Sequence, residues 1–219
     1  MRIPRAALAA LSLLAASPAG AQPVLGARLG WSIPAGQVFA DGPLPDLLAG
    51  AVPLELEAGW QVVPRLTVSA WVSYGLGRPA AAISDGCDAA GLDCGARVVR
   101  LGLRGEWALR SGAPRLLPWA GLGAGYEWTR LDDARATGKA TVGWSGMELV
   151  QAQAGLDVTF GPVVRAGPFV SCGLGRYGRA WLEADGASGS TSLDDRATHA
   201  WITIGLRGRF ALPVLGGPG

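Results

Sequence analysis

Apolar and polar residues alternate along eight stretches of the chain: Val24–Ile33, Leu54–Val63, Leu66–Gly77, Arg97–Leu109, Leu117–Arg130, Met147–Phe160, Val163–Tyr177 and His199–Phe210. A period of two sends successive side chains to opposite faces of a β-strand, so each stretch is predicted as a strand with one apolar face. Several run 10 to 14 residues, which is long for a globular strand and fits a tilted membrane crossing. The connections alternate in length. Pro64-Arg65, Arg110 to Arg115 and Gly161-Pro162 are tight turns, whereas Pro34–Pro53, Arg78–Ala96, Leu131–Gly146 and Gly178–Thr198 are long polar loops. This asymmetry predicts an all-β fold, an eight-stranded antiparallel up-and-down transmembrane β-barrel with both termini at the short-turn, periplasmic end. An even strand number lets the sheet close and leaves no unpaired edge in lipid.

Parity separates the two faces. One is apolar, for example Leu25, Ala27, Leu29 and Trp31 in the first strand and Ile202, Ile204, Leu206 and Phe210 in the last. Its aromatic residues sort by depth. Trp31, Tyr74, Tyr126 and Trp128 fall near the long loops, and Trp60, Trp107, Phe160 and Phe210 fall near the short turns. Amphipathic rings favour the headgroup level, so two aromatic girdles are expected on a lipid-facing exterior. A soluble lipocalin-like barrel would turn the same apolar face inward, and its ligand cavity has no reason to sort aromatics into two rings.

The other face is then the lumen. It carries Arg28, Arg100, Arg104, Arg165, Arg207 and Arg209 against Glu55, Glu57, Glu106, Glu127 and Asp157, so the signs nearly balance. An eight-stranded barrel is only wide enough for side chains to fill. A packed ion-pair network is expected there rather than an open channel, because an unpaired buried charge costs several kcal/mol. Glycines on the same face, among them Gly102, Gly125 and Gly155, leave room for Arg, Trp71, Trp119, Phe169 and Trp201.

Composition adds three constraints. With 34 Gly and 15 Pro, long helices are disfavoured. A net charge of +2 gives no footprint for nucleic acid. No later stretch approaches the roughly 20 consecutive apolar residues of a membrane-spanning helix. The N-terminus reads as a targeting signal: Arg2 and Arg5, an apolar run from Ala6 to Ala16, and the small-residue site Ala19-Gly20-Ala21. Residues 1–21 are therefore expected to be cleaved, 22–210 to form the outer-membrane barrel, and 211–219 to be a short periplasmic tail. No Cys follows the cleavage site, so no lipoprotein anchor is expected.

With these features the mature chain resembles the OmpA/OmpX-like superfamily of small outer-membrane barrels. The closing segment Thr203-Ile204-Gly205-Leu206-Arg207-Gly208-Arg209-Phe210 is similar to the C-terminal signal that the barrel-assembly machinery reads in such proteins. Thr203, Gly205 and Phe210 match it. Gly208 departs, standing where an aromatic or aliphatic residue is usual, and so does the nine-residue tail after Phe210. The resemblance implies a Gram-negative cell outer membrane, with lipid and lipopolysaccharide as surroundings, and a monomer. No peptidoglycan-binding domain follows the barrel, so an anchoring role does not transfer.

Candidate chemistry is sparse. Cys87 and Cys94 flank six residues in the second long loop and are expected to form a disulfide in the oxidising periplasm. The competing reading is a cation held by Asp85, Asp88 and Asp93, although no EF-hand spacing is present. Cys172 reads as a small apolar residue on the lipid face. His199, the single histidine, stands near the outer end of the last strand, where Ser188, Ser190, Ser192, Asp194 and Asp195 could approach it. Small outer-membrane barrels that modify lipid A use a His with a Ser and an acid, but Trp201 occupies the position where the deacylases carry serine. A solvated loop-edge histidine is the expectation, with no catalytic, cofactor or metal site. Arg97, Arg130 and Arg176 share the outward parity at the long-loop ends and either snorkel to lipopolysaccharide phosphates or simply face water. Trp144 and Trp181, at loop edges, would anchor the outer girdle or meet a partner. The functional expectation is a structural or loop-mediated surface-interaction protein. A narrow pore for small solutes and a lipid A-modifying enzyme are the alternatives.

Overall fold

The computed structural model describes residues 21–39, 42–110, 115–135, 138–184, 187–193 and 197–212. The residues before 21, expected to be a signal peptide, and the tail beyond 212 lie outside these, as do Asp194 and Asp195. Eight long strands form the wall: β1 (Gln22–Phe39), β3 (Leu48–Val63), β4 (Leu66–Pro79), β5 (Asp93–Ala108), β6 (Leu116–Arg135), β7 (Gly138–Phe160), β8 (Val164–Ala184) and β10 (His199–Ala211). Between them lie the short strands β2 (Gly42–Pro43) and β9 (Ala187–Ser192) and the helices α1 (Leu44–Leu47) and α2 (Ala81–Ala89). Each wall strand pairs antiparallel with the next, and β10 pairs with both β8 and β1. The ring is closed, so every wall strand has a hydrogen-bonded neighbour on each side.

The alternation read from the sequence is the alternation of exposure. Along β10, His199, Trp201, Thr203, Arg207 and Arg209 are buried, while Ile202, Ile204, Leu206 and Phe210 are exposed. The tight turn at Gly161 works because glycine accepts φ +69°, a left-handed conformation that strains other residues. Inside the wall, a Cβ added to Gly155 would lie 2.6 Å from the Pro168 carbonyl oxygen and 2.5 Å from the Trp119 ring. Only glycine therefore lets that indole lie flat against β7.

The strands run further than predicted at the outer end. β6 continues to Arg135, β7 starts at Gly138 and β8 reaches Ala184, so most of the third predicted loop is a hairpin arm. The fourth contains β9, paired with β8 from Arg179–Ser192 to Ala184–Ala187. Beyond the exposed apolar band, nothing demands an apolar face every second residue. The backbone ladder continues there while the hydropathy pattern that would announce it stops. The first and second predicted loops hold α1 and α2, both preceded by an extended residue, Pro43 and Ala80.

Candidate functional site

The lumen is filled in two tiers. In the half nearer the short turns, cations and acids from five strands interlock. Arg28 of β1 donates to Glu57 at 3.0 Å and to Gln153 at 2.5 Å, contacts Glu55 at 3.2 Å, and also donates to Glu106. Arg104 of β5 donates to Glu55 at 2.6 Å. Arg207 of β10 holds Asp157 bidentately at 2.9 and 2.7 Å and reaches Glu106 at 2.8 Å. Arg209 bridges Glu57 at 2.6 Å and Glu106 at 2.8 Å. Bidentate and charge-assisted bonds of this kind are the strong ones, and here they link wall strands far apart in sequence. Aromatic rings fill the rest. Arg104 lies over Trp71 at 4.8 Å, Arg207 over Trp119 at 3.3 Å, and Arg28 between Trp119 and Phe169. Two lumen cavities among these groups measure about 10 and 20 Å³, roughly the room one water needs.

The outer tier is different. Glu127 is fully buried, and its Oε1 accepts hydrogen bonds from Trp201 Nε1 at 3.0 Å, Thr129 Oγ1 at 2.8 Å and the Tyr177 hydroxyl. Its Oε2 faces His199 Nε2 at 3.7 Å. The imidazole is stacked on the Tyr177 ring, with centroids 3.9 Å apart. Arg100 lies over the Trp201 ring at 5.7 Å. Above this cluster lies an apolar lid: Val38 from the end of β1, Leu44 of α1, Leu48 at the start of β3, and Ala51, Ala96, Val98 and Trp144 from the wall. Leu44 and Leu48 are completely inaccessible to solvent.

Three expectations need correction. His199 is not a solvated loop-edge residue. It is 2% exposed and points into the lumen, as its shared parity with Trp201, Thr203 and Arg207 would have indicated. Exposed Ser188, Ser190 and Ser192 stand on β9, paired with β8. Trp144 neither anchors a girdle nor faces a partner, being buried in the lid, while Trp181 half-covers the wall over Gly143. The lumen also holds an acid that the strand pattern left unplaced. Glu148 is buried because a bulge between Glu148 and Val150 places both Leu149 and Val150 outward. The run Glu148-Leu149-Val150-Gln151 carries the signal: two adjacent apolar residues interrupting a strict alternation. Glu148 gives the lumen six carboxylates against its six arginines. Arg165 is half-buried at the short-turn mouth of the barrel and forms no ion pair among the described residues.

Outside, the wall is apolar all round. Leu76, Leu103, Leu122, Ile204 and Leu206 are each at least 60% exposed. A water-soluble surface does not carry a contiguous apolar band of this extent. No protein-family model matches the chain, and no curated protein matches it. Among solved structures, a major outer membrane protein from Thermus thermophilus is similar, with 14% identity, a TM-score of 0.55, and coverage of 87% of this chain and 100% of that one. The outer membrane protein OprG from Pseudomonas aeruginosa is also similar, with 10% identity, a TM-score of 0.51, and coverage of 88% and 97%. The fold is that of the small outer-membrane β-barrels.

On this barrel the predicted girdle residues Trp31, Tyr74, Trp107, Trp128, Phe160 and Phe210 are exposed on the outer wall, and Trp60 and Tyr126 are half-buried there. Cys172 is an unpaired thiol on the same wall. Cys87 of α2 and Cys94 of β5 are joined in a disulfide with Cα atoms 6.1 Å apart, and no cluster able to hold a metal ion occurs among the described residues. The three outward arginines separate into two kinds. Arg97 and Arg130 both lean on Asp132, at 3.7 and 3.3 Å, whereas Arg176 is exposed beside a surface groove.

Proposed function

We propose that the chain spans the outer membrane as a sealed barrel whose role is structural or carried by its outer surface, not by conduction. The observation that carries this is the filled interior: cavities of about 10 and 20 Å³ between interlocked Arg and Glu side chains, with an apolar lid above them. The apolar exterior and the two depths of exposed aromatics support a lipid surrounding. A narrow pore would need a continuous polar path, and the lid residues Val38, Leu44 and Leu48 oppose one. A lipid A-modifying role gains no support, since His199 lies beneath that lid rather than at the surface.

Two measurements test the reading. The membrane fraction should contain a species that migrates differently on a denaturing gel before and after boiling, as a folded transmembrane barrel does. Reconstituted in planar bilayers, the same species should give no steady single-channel conductance. Recovery of the mature chain from soluble periplasmic extract would refute the membrane assignment, and stable conductance would refute the seal.

A further inference from the structure

The groove beside Arg176 is a built feature of the wall. Tyr126, Met147 and Arg176 form one cross-strand row on β6, β7 and β8, all facing outward. Leu149, pushed outward by the bulge, lies next below Met147 on β7; both are about half exposed. Above the row, a second irregularity at Ser145/Gly146 leaves Gly178 as an extra residue, and Ser145 then pairs with Arg179. The Tyr126 hydroxyl donates to Ser145 Oγ at 3.1 Å. The Tyr126 ring stands against Trp128 with centroids 4.5 Å apart, at the level of the outer aromatic residues. The result is an open groove of about 560 Å³, within the size range of small-molecule sites. Met147 and Leu149 give it an apolar lower part, while Arg176, level with Met147, and Arg179, one step above, bring two guanidinium groups. Among the described residues no acid lines it, and neither Arg176 nor Arg179 has an acidic partner.

We propose that this groove binds a phosphorylated lipid of the outer leaflet, with Arg176 and Arg179 on its phosphates and Met147 and Leu149 against an acyl chain. The charge pattern selects this occupant. Two guanidinium groups without an acidic partner among the described residues, beside and above an outward apolar floor, match a molecule that is anionic at the headgroup level and apolar below it. Arg97 and Arg130 present the same residue type at the same end, but Asp132 already holds both, so they are not expected to contribute. The proposal rests on the barrel spanning the membrane.

The test uses the full mature barrel purified in its folded state in detergent micelles, with bound lipid counted by native mass spectrometry. The probes are bisphosphorylated lipid A, its dephosphorylated form and inorganic phosphate. Each arginine worth one charge-assisted bond predicts that R176Q/R179Q weakens binding of the bisphosphorylated lipid by about tenfold or more. Removing the phosphates should cost wild type a similar factor, R97Q/R130Q should bind as wild type does, and R176K/R179K should keep most of the affinity. Equal binding by R176Q/R179Q, equal loss in R97Q/R130Q, or equal binding of the dephosphorylated lipid would overturn the proposal. Displacement by inorganic phosphate would overturn it too, by identifying a site for free anions. The boiled and unboiled gel shift, run on wild type and every variant, reports separately whether the barrel itself stands.

Discussion

The two tiers of the lumen bury charge by opposite means. In the half nearer the short turns, each carboxylate meets guanidinium groups from other strands: Glu106 alone touches Arg28, Arg207 and Arg209. In the outer half, Glu127 is held chiefly by neutral donors (Tyr177, Trp201 and Thr129), with one imidazole nearby and an apolar lid overhead. The first arrangement cross-links the wall, so losing one member leaves several buried charges short of a partner. The second is nearer to the core of a soluble domain, in which neutral donors hold a buried carboxylate oxygen and apolar packing excludes water.

That difference predicts unequal damage. Replacing Glu106 by alanine strips a partner from three buried arginines, and breaking a buried pair typically costs about 3–5 kcal/mol. The urea midpoint for losing the unboiled gel species should fall accordingly. A change below about 1 kcal/mol would mean that the lower network is no more than loosely solvated pairing.

The disulfide lies in neither tier, and its effect should stay local. Closing the loop from Cys87 to Cys94 is worth about 2.5 kcal/mol in the chain-entropy model, since the two are seven residues apart. If α2 and its loop open before the wall unfolds, that amount is lost in the local opening, so Cys87→Ser should speed protease cleavage between α2 and β5 while leaving the urea midpoint of the barrel near wild type. A midpoint that falls as far as in Glu106→Ala would show that this loop braces the wall.

How much of this was readable in advance follows from the same contrast. Strand number, closure and the lower network were legible because a barrel wall obeys period two, and parity alone puts Arg28, Glu57, Glu106, Asp157 and Arg207 on one side. The outer tier was not. Its lid joins Val38 and Leu44 to Trp144, residues brought together by the paths of long outer connections that no local pattern records. Glu148 was lost to a single inserted residue, because one bulge reverses the parity of everything beyond it. His199 was a failure of inference rather than of signal. Its parity pointed inward, but its place near a predicted loop outweighed that.

Glu127→Gln sharpens the contrast from the other side. The amide oxygen can still accept from Tyr177, Trp201 and Thr129, and the new NH₂ would face His199 Nε2, 3.7 Å from the present Oε2. Exchanging one buried interaction for another of similar geometry should cost about 1 kcal/mol, well below Glu106→Ala. The comparison is a ratio of two urea midpoints in one background. Equal losses would mean that Glu127 acts as an ionic cross-link like its counterpart below.

The smallest expected effect concerns conduction, and it asks which tier seals the barrel. Leu44→Ser with Leu48→Ser makes the lid polar and lets water reach the Glu127 cluster, because these two side chains are now wholly inaccessible. Beneath them, Arg28, Arg207 and Arg209 still cross the lumen to acids on β3, β5 and β7. Single-channel current should therefore stay at baseline in the double variant. If the double variant conducts steadily, the lid is the gate and the lower network is permeable. If current appears only when Glu106→Ala is added, the ion-pair tier is the seal and the lid protects the outer cluster from water.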